Sequence, residues 1–159
     1  MIEGHNIDEE LLLMNDDFPD YFIEKAHPND YISLSHPLPI QYIYHKKQYH
    51  NRLIVRITWQ ISQTSYIPMS FVIDTGAPNG FYLSTKAFQC LEQRIRTDDM
   101  DNQYVIIGNT KNQSKKLMVC PTPYNHSPAN IIGLKTLMFL GLELHEEDTI
   151  RLPWIPTFL

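Results

Sequence analysis

The sequence predicts a mainly β fold with one or two short helices. From residue 31 onward, short segments rich in β-branched and aromatic residues alternate with stretches containing Pro, Gly and Asn. One segment shows strict alternation and places four apolar side chains on one face: Leu53, Val55, Ile57 and Trp59. Helical spacing is confined to short runs. Together these patterns favour a sheet-based domain over a helical bundle.

Length and charge divide the chain into two predicted regions. The chain has 159 residues, which suits one domain with an extension, and 43% of them are apolar, enough for a core. Residues 1–30 contain nine acidic residues and one lysine. We therefore predict an acidic, partly ordered N-terminal extension over residues 1–35 and a folded domain over residues 36–159. The extension is either a plain leader with a short helix up to about residue 14 or a segment that covers a cleft.

Composition argues against several classes of partner. The net charge of −5 and the lack of a Lys/Arg cluster argue against nucleic acid. No apolar run is long enough for a membrane span, and no signal peptide is recognised. Cys90 and Cys120 lack metal-ligand spacing. The histidines are scattered, and we interpret His45 and His50 as solvated turn residues. We predict no metal, no cofactor and an intracellular, reducing compartment.

The first half of the domain is predicted as successive strands. Residues 31–34, 42–44 and 53–59 form the first three, and His45 and His50 lie at the turn between the last two. A polar loop over residues 62–65 leads to a buried strand over residues 69–73, bounded by a proline and a glycine.

The second half mixes strands with short helices. A strand over residues 81–84 leads into an amphipathic helix that has Ser84 as N-cap and Phe88, Leu91 and Ile95 on one face. An acidic loop over residues 96–102 precedes a hairpin formed by residues 104–107 and 116–119. The buried stretch 128–133 is followed by a helix over residues 134–140, which Gly141 ends, and residues 149–155 are extended.

A short motif follows the buried strand at residues 71–77, which read Phe-Val-Ile-Asp-Thr-Gly-Ala. Asp74 falls where the chain leaves the sheet, the Thr75 hydroxyl can form hydrogen bonds, and Gly76 allows a tight turn. Pro78, Asn79 and the following glycine continue the turn. Taken alone, the motif fits both a catalytic carboxylate and an Asp that caps its own loop.

A second motif about sixty residues later makes the pattern more specific. Residues 130–133 read Asn-Ile-Ile-Gly and are followed by the short predicted helix. The two segments together resemble the retropepsin family, the single-domain, homodimeric aspartic peptidases of retroviruses and retroelements. The resemblance implies a closed-barrel acid-protease fold that works as a twofold homodimer, because the chain carries Asp-Thr-Gly only once.

The resemblance also implies roles for individual residues. Asp74 of each chain would be catalytic, and Thr75, Gly76 and Ala77 would form the active-site turn. Pro78, Asn79, Ile131 and Ile132 would contact substrate, and Asn130 and Gly133 would belong to the structural motif. Ala77 cannot donate a hydrogen bond to the carboxylate, so we expect activity at weakly acidic to neutral pH.

The chain departs from the viral pattern in two ways. Retroviral members carry Asp and Arg, which form a salt bridge, at the positions of Pro78 and Leu134 here, and both are replaced together. The Gly-rich flap hairpin is not recognisable, and we expect the hairpin of residues 104–119 to lie in the sheet rather than to serve as flap. In this respect the chain is closer to flap-poor eukaryotic and retroelement-like members.

Three functions follow as hypotheses. The first is a homodimeric aspartic endopeptidase that hydrolyses polypeptides. The second is a dimeric binding or interaction module of the same fold with weak or no peptidase activity. The third is a structural protein in which Asp74 only caps its loop.

Overall fold

The computed structural model describes residues 29–47, 50–74, 76–77, 81–108, 113–123, 129–145, 149–152 and 155–159, and it confirms a mainly β fold with two short helices. The strands are β1 (Gln41–Lys47), β2 (His50–Ser62), β3 (Ser65–Ile73), β4 (Phe81–Leu83), β5 (Arg96–Thr97), β6 (Gln103–Gly108), β7 (Ser114–Pro121), β8 (Ile131–Ile132), β9 (Glu143–His145), β10 (Thr149–Arg151) and β11 (Thr157–Phe158). The helices are α1 (Thr85–Cys90) and α2 (Leu134–Leu140), and a 3-10 turn spans Glu92–Arg94.

Seven of the strands close into a barrel. Their order is β2, β11, β6, β7, β4, β8 and β3, and β3 pairs again with β2. β1 and β5 extend the sheet by pairing with β2 and β6, while β9 and β10 form a separate two-stranded sheet. The barrel leaves its strands few open edges, which protects their backbone groups from pairing with other chains.

The predicted alternation of β2 is confirmed. Val55, Ile57 and Trp59 are fully buried in the barrel core, and Leu53 packs against it. The opposite face is covered as well, because Ile54 and the β3 residue Val72 belong to a second, smaller apolar cluster. This double burial fits the apolar triplets at residues 53–55 of β2 and 71–73 of β3.

The hairpin of β1 and β2 reaches beyond the barrel. The two strands pair from Gln41 opposite Arg56 to Lys47 opposite His50, whereas β3 pairs with β2 only as far as Ile54 opposite Val72. The outer part of this hairpin therefore projects past the end of β3 from which residue 74 emerges.

Several strand predictions need correction. His45 and His50, predicted at a turn, belong to β1 and β2, and the predicted loop over residues 96–102 begins with β5, which pairs with β6. β3 begins at Ser65 rather than after Pro68, and Pro68 lies within the strand opposite Thr58. Residues 31–34 do not form a strand: only Leu34 makes an isolated bridge, to Tyr66, and Tyr31 has a positive φ of 67°. β3 begins earlier because its first residues pair with β2, with Tyr66 opposite Gln60, whereas residue 31 is held against β3 by a hydrogen bond from its amide to the Pro68 carbonyl at 2.9 Å.

Residues 29–34 form what we call the N-terminal strap. Asp30 makes a buried ion pair with Arg56 at 2.8 Å, and Leu34 exchanges two backbone hydrogen bonds with Tyr66. The strap thus lies against β2 and β3. The predicted boundary at residue 35 stays a prediction, and residues 1–28, including the predicted helix near residue 14, lie outside the described residues.

Both predicted helices of the domain are confirmed, with α1 shorter than expected. The Ser84 hydroxyl accepts a hydrogen bond from the Ala87 amide and caps α1, which ends at Cys90, so that Ile95 is extended. α2 ends at Gly141, whose φ of 75° is the left-handed conformation that glycine adopts readily.

The C-terminal residues complete the barrel within the same chain. β11 lies between β2 and β6, and Phe158 stacks on Trp59 with ring centroids 4.4 Å apart. For the described residue pair Thr157–Phe158, the strand partners belong to the same chain.

Among the described residues, no helix is long and apolar enough to cross a membrane. The same part of the chain contains no group of three or more His, Cys, Asp or Glu side chains that could hold a metal ion.

Candidate functional site

Asp74 lies directly after β3, at the end of the barrel that the β1–β2 hairpin overhangs. It is 2% exposed, which is unusual for a carboxylate. Its backbone amide donates to the Ile132 carbonyl at 3.0 Å, and its Oδ1 accepts from the Gly76 amide at 3.0 Å. The Gly76 amide holds the carboxyl group of Asp74, and the bond to Ile132 holds its backbone, so both contacts help to keep this residue in place.

The turn after Asp74 reaches the surface within two residues. Gly76 is exposed, and Ala77 is half-buried against the smaller apolar cluster. The Ala77 amide donates to the Asp74 carbonyl at 3.1 Å, which closes the turn. The remaining predicted turn residues, Thr75, Pro78 and Asn79, lie outside the described residues.

The structure brings the two sequence motifs into direct contact. β8 carries Ile131 and Ile132 and lies between β3 and β4, parallel to the former and antiparallel to the latter. The strand before the Asp74 turn and the strand after it are thus both held by the second motif. The two motifs are about sixty residues apart in sequence, and they form one unit in space.

Asn130 is the centre of this unit. It is fully buried, and its Oδ1 accepts from the Ser84 amide at 2.8 Å. Its Nδ2 donates to the Tyr31 hydroxyl at 2.6 Å and to the Ser70 carbonyl at 3.1 Å. Its own carbonyl accepts from the Val72 amide at 2.8 Å. The predicted structural role of Asn130 therefore has a geometric basis: one side chain links the strap, β3 and the start of α1.

The other residues of the second motif are buried too. The side chains of Ile131 and Ile132 are 0% exposed and pack in the two apolar clusters, so their predicted contact with substrate stays a prediction. Gly133 is buried at the start of α2, and its carbonyl accepts from the Leu137 amide. Leu134, at the position of the viral arginine, is 47% exposed.

The role of Tyr31 in this unit was not predicted from the sequence. Tyr31 lies 99 residues from Asn130 in the chain, and its hydroxyl is also 3.2 Å from the Ser84 Oγ. Burial raises the pKa of this phenol, against smaller lowering effects of its hydrogen bonds to Ser84 and Asn130. No spacing or composition signal connects a tyrosine in the strap with the second motif.

The chain was also compared with known proteins. No family model, no curated protein and no solved structure matches it.

The site presents the buried Asp74 carboxylate on a turn that reaches the surface. The Gly76 amide donates to this carboxylate, and the Asn130 network holds the neighbouring strands. Such a carboxylate can cap its own loop, and the Gly76 contact does so. It can also act in acid–base catalysis if a second carboxylate approaches the turn from outside.

Proposed function

We propose that the protein is a homodimeric aspartic endopeptidase in which the Asp74 turns of two chains meet at a twofold axis. The observation that carries the proposal is the hydrogen bond between the Asp74 amide and the Ile132 carbonyl. It unites the Asp-Thr-Gly and Asn-Ile-Ile-Gly segments, whose joint occurrence is the basis of the resemblance to retropepsins. The closed barrel and the helix directly after the second motif agree with the same proposal.

The proposed reaction uses the two Asp74 carboxyl groups as a pair. At about 3 Å they share one proton, as in the aspartic proteases that serve as the standard example of such a pair. The ionised member removes a proton from a water molecule, whose oxygen bonds to the peptide carbonyl carbon, and the protonated member gives its proton to the carbonyl oxygen. The C–N bond of the intermediate then breaks as the amine nitrogen takes the proton that the first carboxyl group removed from water, while the other carboxylate removes a proton from a hydroxyl group of the intermediate, which restores the pair. The two pKa values belong to the pair rather than to either chain.

The surroundings of the turn support this assignment in two ways. Gly76 is exposed in the single chain, so a second chain has access to the turn. Ala77 carries no hydroxyl group that could stabilise the ionised carboxylate. The pair is therefore expected to work at weakly acidic to neutral pH rather than only below about pH 4.

A binding module without peptidase activity is the second candidate, and the β6–β7 hairpin favours it. Val105, Ile107, Leu117 and Val119 on its strands are core residues, so both strands are tied into the barrel. The described residues of this hairpin therefore support the expectation that it belongs to the sheet rather than serving as a separate flap. A peptidase then needs another cover to exclude water, and the overhanging β1–β2 hairpin lies at the correct end of the barrel.

Cleavage assays on three proteins test the proposal. Wild type, Asp74→Asn and the control Asp99→Asn, which changes an exposed aspartate in the same way, are incubated with a peptide library between about pH 4 and 7. Each is assayed with and without a statine-type inhibitor. We expect inhibitor-sensitive cleavage by wild type and Asp99→Asn, and a loss of at least about a thousandfold in Asp74→Asn.

Sedimentation of the same samples separates the hypotheses. Cleavage that persists in Asp74→Asn contradicts the peptidase proposal. A verified dimer that binds peptides without cleaving them supports the binding module. A strict monomer contradicts both, because one chain supplies only one Asp74.

A further inference from the structure

The Tyr31 side chain connects the N-terminal strap with the Asp74 site. Its backbone amide donates to the Pro68 carbonyl, and the adjacent Asp30 is held by Arg56. These contacts aim the phenol into the interior, where its oxygen lies 2.6 Å from Asn130 Nδ2 and 3.2 Å from Ser84 Oγ. The ring also lies under the Lys86 ammonium, 5.2 Å from its centroid.

The Tyr31 hydroxyl accepts a hydrogen bond from one of the two side-chain N–H groups of Asn130 and so completes its hydrogen bonds. Asn130 has one acceptor oxygen and two N–H donors on its side chain. The oxygen accepts from the Ser84 amide. One N–H donates to the Ser70 carbonyl, and the other donates to the Tyr31 hydroxyl. Because the Ser84 amide can only donate, the orientation of the Asn130 amide is determined. Removing the phenol oxygen leaves one buried Asn130 N–H without its acceptor.

Two backbone hydrogen bonds connect the segment that contains Asn130 with the segment that contains Asp74. The Asn130 carbonyl accepts from Val72, and two residues further on the Ile132 carbonyl accepts from Asp74. These are successive bonds of one parallel ladder between β3 and the second motif. A rotation or shift of Asn130 therefore changes the register that holds the amide of the proposed catalytic residue.

The backbone of Tyr31 indicates that its position is under constraint. Its φ of 67° lies in the left-handed region, which costs free energy in a residue with a side chain. Extended backbone at this residue, as the sequence predicted, would change the direction in which the phenol leaves the strap. The contacts of Pro68, Arg56 and Asn130 together hold the strained conformation.

We propose that Tyr31 is a positioning residue for Asp74, acting through Asn130 and the Ile132 carbonyl. The inference rests on the proposed function, since the placement of Asp74 affects a reaction only if Asp74 reacts. It adds to the site a residue of the N-terminal strap that belongs to neither sequence motif.

The test compares Tyr31→Phe with wild type and with Tyr104→Phe. Tyr104 is a suitable control because it lies on β6 and its ring, rather than its hydroxyl, contacts Lys116. Amide hydrogen exchange is measured first, because it needs no activity. We expect protection of the Val72, Asp74 and Ser84 amides to fall about tenfold in Tyr31→Phe and to stay unchanged in Tyr104→Phe.

Kinetics on the same variants supply a second readout. In Tyr31→Phe, kcat should fall about tenfold with KM within about twofold, and the pH profile of kcat should shift, because the geometry of the carboxyl pair is altered. Unchanged protection at these three amides overturns the inference. An equal loss of protection along the whole barrel also overturns it, since that result indicates only general destabilisation.

The two proposals can fail separately. If wild type cleaves no peptide, the proposed function fails, while the exchange data still show whether Tyr31 holds the Asp74 amide. If wild type cleaves peptides and Tyr31→Phe has unchanged kcat and pH profile, the positioning role fails and the peptidase proposal remains.

Discussion

At the scale of single residues, the neutral side-chain amide of Asn130 holds the segments of the candidate site together. Asn130 is fully buried, and its side chain satisfies the Ser84 amide, the Ser70 carbonyl and the Tyr31 hydroxyl together. A charged side chain would have to be desolvated to fill the same place. An amide avoids that cost and still supplies both donors and an acceptor.

Asn130→Ala is expected to destabilise the fold by about 3 kcal/mol, because the Ser84 amide loses its acceptor, the Tyr31 hydroxyl and the Ser70 carbonyl each lose a donor, and a small cavity opens. Urea denaturation measures the change. Gln93→Ala, at an exposed position, is the control and should stay within about 0.5 kcal/mol of wild type. An equally small effect of Asn130→Ala would show that this network contributes little to stability.

Tyr31 should make stability sensitive to alkaline pH. Burial raises the pKa of its phenol above the ordinary value of 10.0, so the folded state favours the neutral form. This contribution to stability is complete below the unfolded-state pKa and is lost as pH rises through the folded-state pKa. We expect the difference in unfolding free energy between wild type and Tyr31→Phe to shrink above about pH 10 in urea titrations. A difference that stays constant with pH contradicts this expectation.

At the scale of elements, very short segments hold the site in register. β8 has two residues, yet it pairs with both β3 and β4. α2 follows it after Gly133, has seven residues and buries Thr136, Leu137 and Leu140. A helix this short is not stable alone, so its ends and its buried face determine whether it forms.

Gly141→Ala tests the C-terminal end of α2. A Cβ atom at φ 75° is sterically unfavourable, and we expect a loss of about 1 kcal/mol in thermal or urea unfolding. Lys135→Ala, at an exposed position of the same helix, should change stability by less than about 0.5 kcal/mol. Equal effects of the two substitutions would contradict a special role of the left-handed cap.

At the scale of the whole molecule, the last residues of the chain close the barrel. Phe158 is 1% exposed and joins Trp59, Phe71 and Phe81 in an aromatic cluster at the centre of the core. Because β11 pairs with strands of its own chain, it contributes to folding of the single chain.

Phe158→Ala should lower stability by about 3–5 kcal/mol, the usual cost of removing a buried aromatic side chain. Leu159→Ala, where the side chain is 44% exposed, should cost about 1 kcal/mol or less. Unfolding is followed at two protein concentrations that differ a hundredfold. The effect of Phe158→Ala should be the same at both, and a strong dependence on concentration would indicate that this strand stabilises a dimer instead.

Much of the architecture could be predicted because each element carries a local signal: a period of two in a strand, a capping side chain or a glycine at the end of a helix. The alternation of β2, the hairpin of β6 and β7, the Ser84 cap and the stop of α2 at Gly141 follow from residue types at fixed spacing. The start of β3 was missed because a proline usually bounds a strand, whereas here Pro68 keeps its carbonyl free for the strap.

By itself, then, the sequence determined a mainly β domain, the place of Asp74 at the end of a buried strand and the presence of a second motif. Only the tertiary structure decided that the two motifs share a ladder, that Asn130 joins Tyr31 to Ser84, and that the C-terminal strand pairs within its own chain. The physical reason is that hydrogen bonds between residues 46 to 99 positions apart leave no periodic trace in the sequence. They depend on barrel closure, which brings distant segments to one point.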